Sequence, residues 1–266
     1  MKLYITEFFR FIFKLARACL FAIIFFACLY FGKYITTFGL HLYDFLFVCV
    51  IITQIILLAT KIETRDEIKI ILIYHLLGFV MELFKTHPSV GSREYPDPWF
   101  FTIGWVPLYS GFMYSAVGSF IFQWREQLKL RFTNFPPFYY TIPIATLIYI
   151  NFFTHHFIRD LRYILVVAIM LVSYKTSVYF TINKLTWRMP VLLWLTLVWF
   201  FMWVAENLAT FWWARVYPHQ DTWRTFVSRR GVLSWFLLFI VSFVIVSTYK
   251  MKPWKKTEKN MPQDWS

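Results

Sequence analysis

IILIYHLLGFVMELFKTHPSVGSREYP, residues 70–96, decides what class of protein this chain encodes. Its first part is an apolar helical run. It ends on Glu82, Lys85 and His87, ahead of a loop rich in Gly, Pro and Tyr. Ionisable side chains are costly in lipid, so charges at the end of such a run are expected to be paired or used.

Working outward, the whole 266-residue chain shares this character. It is 59% hydrophobic, 23% aromatic and only 15% charged, where soluble domains carry roughly a quarter of charged residues. Several runs approach the ~20 apolar residues that cross a hydrocarbon core. The expected fold is all-α, a polytopic transmembrane bundle of about eight spans, near 11–31, 39–60, 68–85, 102–123, 139–157, 161–181, 190–212 and 231–249. Short loops imply one helical domain over residues 1–250, followed by a polybasic tail, 251–266. Cys19, Cys28 and Cys49 fall inside apolar runs and read as small hydrophobes, not as a disulfide framework.

The net charge of +13 is explained by where the basic residues lie. With the N-terminus inside, the inner side takes Arg10, Lys14, Arg17, Lys61, Arg65, Lys69, Arg125, Lys129, Arg131, Arg188 and the tail lysines. Both termini are therefore expected in the cytoplasm, in a bacterial inner membrane. The tail KMKPWKKTEK is expected against anionic lipid. No nucleic-acid partner is needed to account for the basic charge.

That orientation gathers the unusual polar groups at the outer face. His41 and Asp44 open the second span, and Glu82, Lys85 and Thr86 close the third. Asn151, His155 and His156 close the fifth, with Asp160 just beyond it, and Glu206, Asn207 and Thr210 close the seventh. One outward-facing polar chamber is the expected arrangement. His75 and Glu82 are seven apart and share a helix face with Gly78; His156 and Asp160 are four apart. An echo links two helix ends: Glu82, Thr86, Tyr95 and Pro96 against Glu206, Thr210, Tyr217 and Pro218. It admits a duplicated half, with chance similarity as the alternative.

The segments FKTHPSVGSREYPDP, VPLYSGFMYSAVGS, NFFTHHFIRDLRY, AENLATFWWARVYP and RGVLSWFLLFIVS resemble the YoaT-like family of uncharacterised bacterial integral membrane proteins. The resemblance covers about residues 70–250 and implies a multi-pass membrane protein, with no activity attached. More distantly, a helix-end Glu followed by Gly, Tyr-Pro and a Val-Pro helix start is similar to membrane carotenoid-modifying enzymes.

Three functional readings follow. The leading one is a membrane-embedded enzyme acting on a lipid or isoprenoid-like substrate, with Glu82, His156, Asp160 and Glu206 as catalytic groups. The same four would be the ligands if a divalent metal were used. Asp44, His75, Lys85, Thr86, Tyr95, His155, Asn207, Thr210 and Tyr217 would line the cavity, the two tyrosines as hydrogen-bonding caps. A second reading is a proton-coupled carrier with His75, Glu82, Lys175, Asn183 and Glu206 as a relay. A third is a membrane scaffold. Each group also has a structural reading: Glu82 with Lys85, Asp160 with Arg159 or Arg162, Glu206 with Asn or Trp groups across helices. Gly111, Ser115, Gly118 and Ser119 form a small-residue face expected to pack closely.

Overall fold

The computed structural model describes residues 2–35, 39, 41–95, 99–183, 185–212 and 229–249. The described chain is mostly helical. Its helices are α1 (Lys2–Ala18), α2 (Leu20–Ile35), α3 (Leu42–Ala59), α4 (Arg65–Lys85), α5 (Ser110–Leu128), α6 (Phe138–Thr154), α7 (Arg162–Ser173), α8 (Val191–Phe211) and α9 (Arg229–Tyr249). The strands are β1 (Thr102–Ile103), β2 (Val106–Pro107), β3 (Arg131–Thr133), β4 (Ser177–Thr181) and β5 (Thr186–Pro190). One hydrophobic core cluster runs from Phe21 to Val246.

The central pair is α4 against α5. Thr64 starts α4 through a capping box with Glu67, the side chain of each meeting the other's backbone N–H. Close approach is then made by glycines opposite aromatic rings. A Cβ on Gly78 would sit 2.3 Å from Tyr114, and one on Gly118 would sit 2.4 Å from Tyr74. Gly111 likewise faces His75, and the Ser115 hydroxyl donates to the Ile71 carbonyl at 2.9 Å. The small-residue face of α5 thus allows α4 to pack almost backbone to backbone, as the sequence leads one to expect.

Among the described residues, two helices, α3 and α8, are long and apolar enough to cross a membrane, or three spans if the bent pair α1 and α2 counts as one. Residues 138–154, 162–173 and Leu233–Ser247 form shorter apolar helices. The expected first span, 11–31, is not one helix: the chain breaks at Cys19 and turns by 65°. Nor is the expected sixth span, 161–181, helical throughout. Its helix ends at Ser173, and Ser177–Thr181 forms the central strand of an antiparallel sheet in the order β3-β4-β5. Val178, Tyr179, Phe180 and Thr181 are the β-branched and aromatic residues that favour a pleated surface, and Val178 pairs with Met189 across the hairpin. Lys175 therefore lies in the exposed turn before β4, its ammonium 5.3 Å from the Tyr174 ring, not within a helix. The expected fourth span, 102–123, also starts late: residues 102–107 form the β1–β2 hairpin and the helix begins at Ser110.

Candidate functional site

The sequence-predicted polar residues collect at the end of the molecule where α4 and α8 finish and α9 begins. Glu82 is its best-defined centre, fully buried near the end of α4. The loop that follows folds back to meet it. Val90 and Gly91 donate to the His87 carbonyl, with Gly91 at a left-handed φ of +52°, and Ser92 returns its N–H to the Lys85 carbonyl at 2.9 Å. This turn sets Arg93 and Tyr95 opposite Glu82. The guanidinium of Arg93 pairs with Glu82 Oε1, the Tyr114 hydroxyl donates to the same oxygen, and the Tyr95 hydroxyl donates to Oε2 at 2.8 Å. Arg93 also donates to the Tyr114 oxygen at 2.8 Å. Burying an ionised carboxylate is tolerable only when it is paired and hydrogen-bonded, and Glu82 is both.

The cation is Arg93, not the expected Lys85. Lys85 is itself buried, its ammonium 4.9 Å from the Phe152 ring centroid. Thr86 donates to the Glu82 carbonyl at 2.6 Å and so caps the helix. Asp44, also buried, accepts from the backbone N–H groups of Phe100 and Phe101, both at 2.7 Å, and ties that loop to the start of α3. His75 lies between the Phe79 and Phe112 rings, about two turns from Glu82 along α4.

A second cluster forms between α6 and α7. Asp160 accepts from Arg162 through Nε at 2.7 Å and Nη2 at 2.5 Å, and Asn151 holds the Leu161 N–H at 3.1 Å. Burial tends to push the Asp160 carboxyl up, yet the hydrogen bonds and charge of Arg162 hold it at about 2. His155 bonds the Asn151 carbonyl at 2.8 Å, and the His156 ring lies 4.0 Å from it. Partial burial, with His155, Lys85 and Arg162 close by, pushes His156 down to about 4. His156 is therefore neutral near pH 7.

Both clusters reach the start of α9. Arg162 donates to Ser234 at 2.8 Å, and the next residue, Trp235, stacks on Tyr114 at 6.0 Å and 25°. Trp235 also walls a cavity of about 160 Å³ between α2, α5, α8 and α9. Phe25, Met113, Phe201 and Met202 make it apolar, and Glu206 is its only charged lining residue among the described residues. Asn207 donates to the Trp203 carbonyl at 2.7 Å, while Thr210 bonds back to the Glu206 carbonyl at 3.2 Å, as Thr86 does to Glu82. Tyr217, Pro218 and the 251–266 tail lie outside the described residues.

The four expected catalytic groups thus lie toward one end of the bundle, and of the four Glu206 lines the apolar cavity. Among the described residues, no three His, Cys, Asp or Glu are grouped to hold a metal ion.

Sequence reasoning missed a third cluster at the opposite end of α4. Glu63 and Glu67 are both buried, with the Ser119 hydroxyl between them at 3.0 and 3.1 Å. Gln54 donates to Glu63, and Gln123 donates to Glu67 at 2.7 Å. Neither carboxyl has an ion-pair partner among the described residues, and burial pushes the Glu63 carboxyl up. One hydroxyl proton cannot serve both carboxylates, and two like charges this close disfavour joint ionisation, so the pair retains a proton.

A family model described as a protein of unknown function, DUF817, matches residues 7–243. The uncharacterized protein YoaT of Bacillus subtilis (strain 168) is 42% identical over 253 residues, covering 94% of this chain and 95% of that one. The resemblance carried by FKTHPSVGSREYPDP and AENLATFWWARVYP therefore holds over nearly the whole chain. No solved structure matches it.

Proposed function

We propose, from the premise that this chain belongs to the DUF817 family of proteins of unknown function, that it is a membrane-embedded enzyme acting on a lipid or isoprenoid-like substrate. In this reading it is one integral-membrane domain of about eight hydrophobic segments, with both termini cytoplasmic and the Glu82 end toward the outer leaflet. The observation that carries it is the apolar cavity with Glu206 in its wall. At about 160 Å³ it matches a cavity able to hold a benzene-sized group, so it would take a stretch of hydrocarbon chain, not a whole lipid. A carboxyl in such surroundings suits acid/base work on the polar end of that chain.

Glu82, Arg93, Tyr95 and Tyr114 then act as positioning residues. Through Tyr114 and Trp235 they hold the cavity wall that faces Glu206, and Asp160 with Arg162 anchors the same turn of α9 through Ser234. A proton-coupled carrier is the second reading, and the Glu63–Glu67 pair favours it, because a retained proton at the far end of α4 supplies a binding site for H⁺.

One experiment separates the two. The purified protein, reconstituted with a bacterial total lipid extract, is assayed by mass spectrometry for altered lipid and by a pH-sensitive dye for proton movement. The enzyme reading expects a changed lipid that disappears in Glu206→Gln while that variant still elutes as folded protein. Proton flux with no lipid product would overturn it in favour of the carrier.

A further inference from the structure

α1 turns away from α2 by 65°, and its buried and half-buried residues lie along one edge. Its attached edge is clear. Glu7 and Ala18 are buried, Phe11 meets Phe180 at 6.3 Å, and the Lys14 ammonium donates to the Thr181 carbonyl at 3.4 Å. The contacts of Phe11 and Lys14 lay α1 beside the β4–β5 hairpin, where Tyr4 also meets Trp187 at 6.4 Å, while its buried edge packs mainly on α5.

The remaining circumference divides by chemistry. Successive residues turn by about 100°, so Phe8, Ile12, Phe9 and Phe13 form one continuous face. They are 59%, 44%, 65% and 70% exposed respectively. Arg10 and Arg17, seven residues apart, share a single line along the border of that face, and both are exposed. Further exposed cations stand on the elements beside it: Lys129 after α5, Arg131 on β3, Lys175 before β4 and Arg188 on β5.

We propose that α1 lies in the plane of the membrane at the Glu63 end of the bundle, with Phe8, Phe9, Ile12 and Phe13 in the acyl boundary and Arg10 and Arg17 on anionic headgroups. A helix with a broad apolar face bordered by cations is what the headgroup–acyl boundary accommodates. Crossing the bilayer instead would draw Arg10, Lys14 and Arg17 through its centre at high cost. A second copy of the chain is the poorer occupant: a two-fold contact sets like surfaces together and would bring Arg10 and Arg17 up against their own copies. The proposal does not depend on what the cavity near Glu206 binds.

The test uses the full chain without native cysteines, Cys19→Ala, Cys28→Ala and Cys49→Ala, confirmed as folded by its helical circular dichroism and elution volume. Single cysteines at positions 8 to 17 carry a nitroxide, and the protein is placed in nanodiscs of 70% phosphatidylcholine and 30% phosphatidylglycerol. An in-plane helix gives oxygen accessibility that oscillates with a period of about 3.6 residues, greatest at positions 9 and 13, at constant mean depth. Depth that changes steadily along the helix would overturn the in-plane placement. Spin–spin broadening at positions 9 and 13 with low oxygen accessibility would mark a contact between copies and overturn it equally. For the headgroup part, Arg10→Gln with Arg17→Gln is compared with the parent by native mass spectrometry of bound phosphatidylglycerol. Retention is expected to fall about fivefold for each Arg removed, and unchanged retention would contradict it.

Discussion

The two ends of α4 bury carboxylates by opposite means. At its end, Glu82 is met by a guanidinium and two phenolic hydroxyls. At its start, Glu63 and Glu67 are met by two amides and one serine hydroxyl, with no cation among the described residues. The two sites are 15 residues apart along one helix, about 22 Å. At the first a fixed cation, Arg93, compensates the carboxylate, and at the second a retained proton keeps the two carboxyls from both being charged. A buried acid in this fold is therefore not by itself a mark of catalysis. Glu82 is a tie between elements, and the acidic residue lining the apolar cavity is Glu206.

The comparison can be broken most forcefully at Arg93. Arg93→Leu leaves Glu82 charged, buried and without its guanidinium, which is expected to cost about 3–5 kcal/mol, read as a fall in thermal unfolding temperature in detergent micelles. Gly78→Ala comes next. The added Cβ would meet the Tyr114 ring at 2.3 Å, and such overpacking costs about 1–3 kcal/mol. Because Tyr114 carries the contact to Trp235, the same variant is expected to change Trp fluorescence, whereas an effect on stability alone would deny the link from Glu82 to the cavity wall.

At the other end, Glu67→Gln replaces one member of a pair that already holds a proton. Its expected cost is about 1 kcal/mol or less; a loss as large as that of Arg93→Leu would show that Glu67 is ionised and needs a cation.

Asp160 and His156 supply the smallest effect, under ~1 kcal/mol for so exposed a pair. Asp160 is held at about 2, below its ordinary 3.8, so its contribution is present above about pH 4 and is lost as pH falls toward 2. His156 is pushed to about 4 from 6.5, so the folded state resists its protonation and stability also declines between those two values. Asp160→Asn should remove the lower step and leave the upper one, as read from unfolding midpoints across pH.

Much of this fold is legible in the sequence, because apolar runs between charged or Pro-rich flanks leave few choices. α3, α4, α6, α8 and α9 lie close to their expected ranges, and GFMYSAVGS announces the tight α4–α5 contact. What escaped was local conformation inside apolar runs. VYFT reads equally as helix or strand by hydropathy alone, and the break at Cys19 interrupts an unbroken hydrophobic stretch. At the site, Glu82 with Tyr95 and Asp160 with Arg162 were readable, but Arg93 was overlooked as a loop residue. Its spacing of two from Tyr95 was the available signal, since alternate residues of an extended segment share a side. Glu63 and Glu67 stand just before the expected third span. The Thr64-to-Glu67 capping pattern pointed to a helix end there, and nothing in the sequence pointed to its burial against Ser119.

Glu82 and Arg93 act as one structural unit, which a double-mutant cycle resolves. Unfolding free energies are measured for the parent, Glu82→Leu, Arg93→Leu and the double variant. Each single variant is expected to lose about 3–5 kcal/mol and the double variant to recover most of that loss, because the Glu82–Arg93 charges are then both absent. Losses that simply add in the double variant would contradict it.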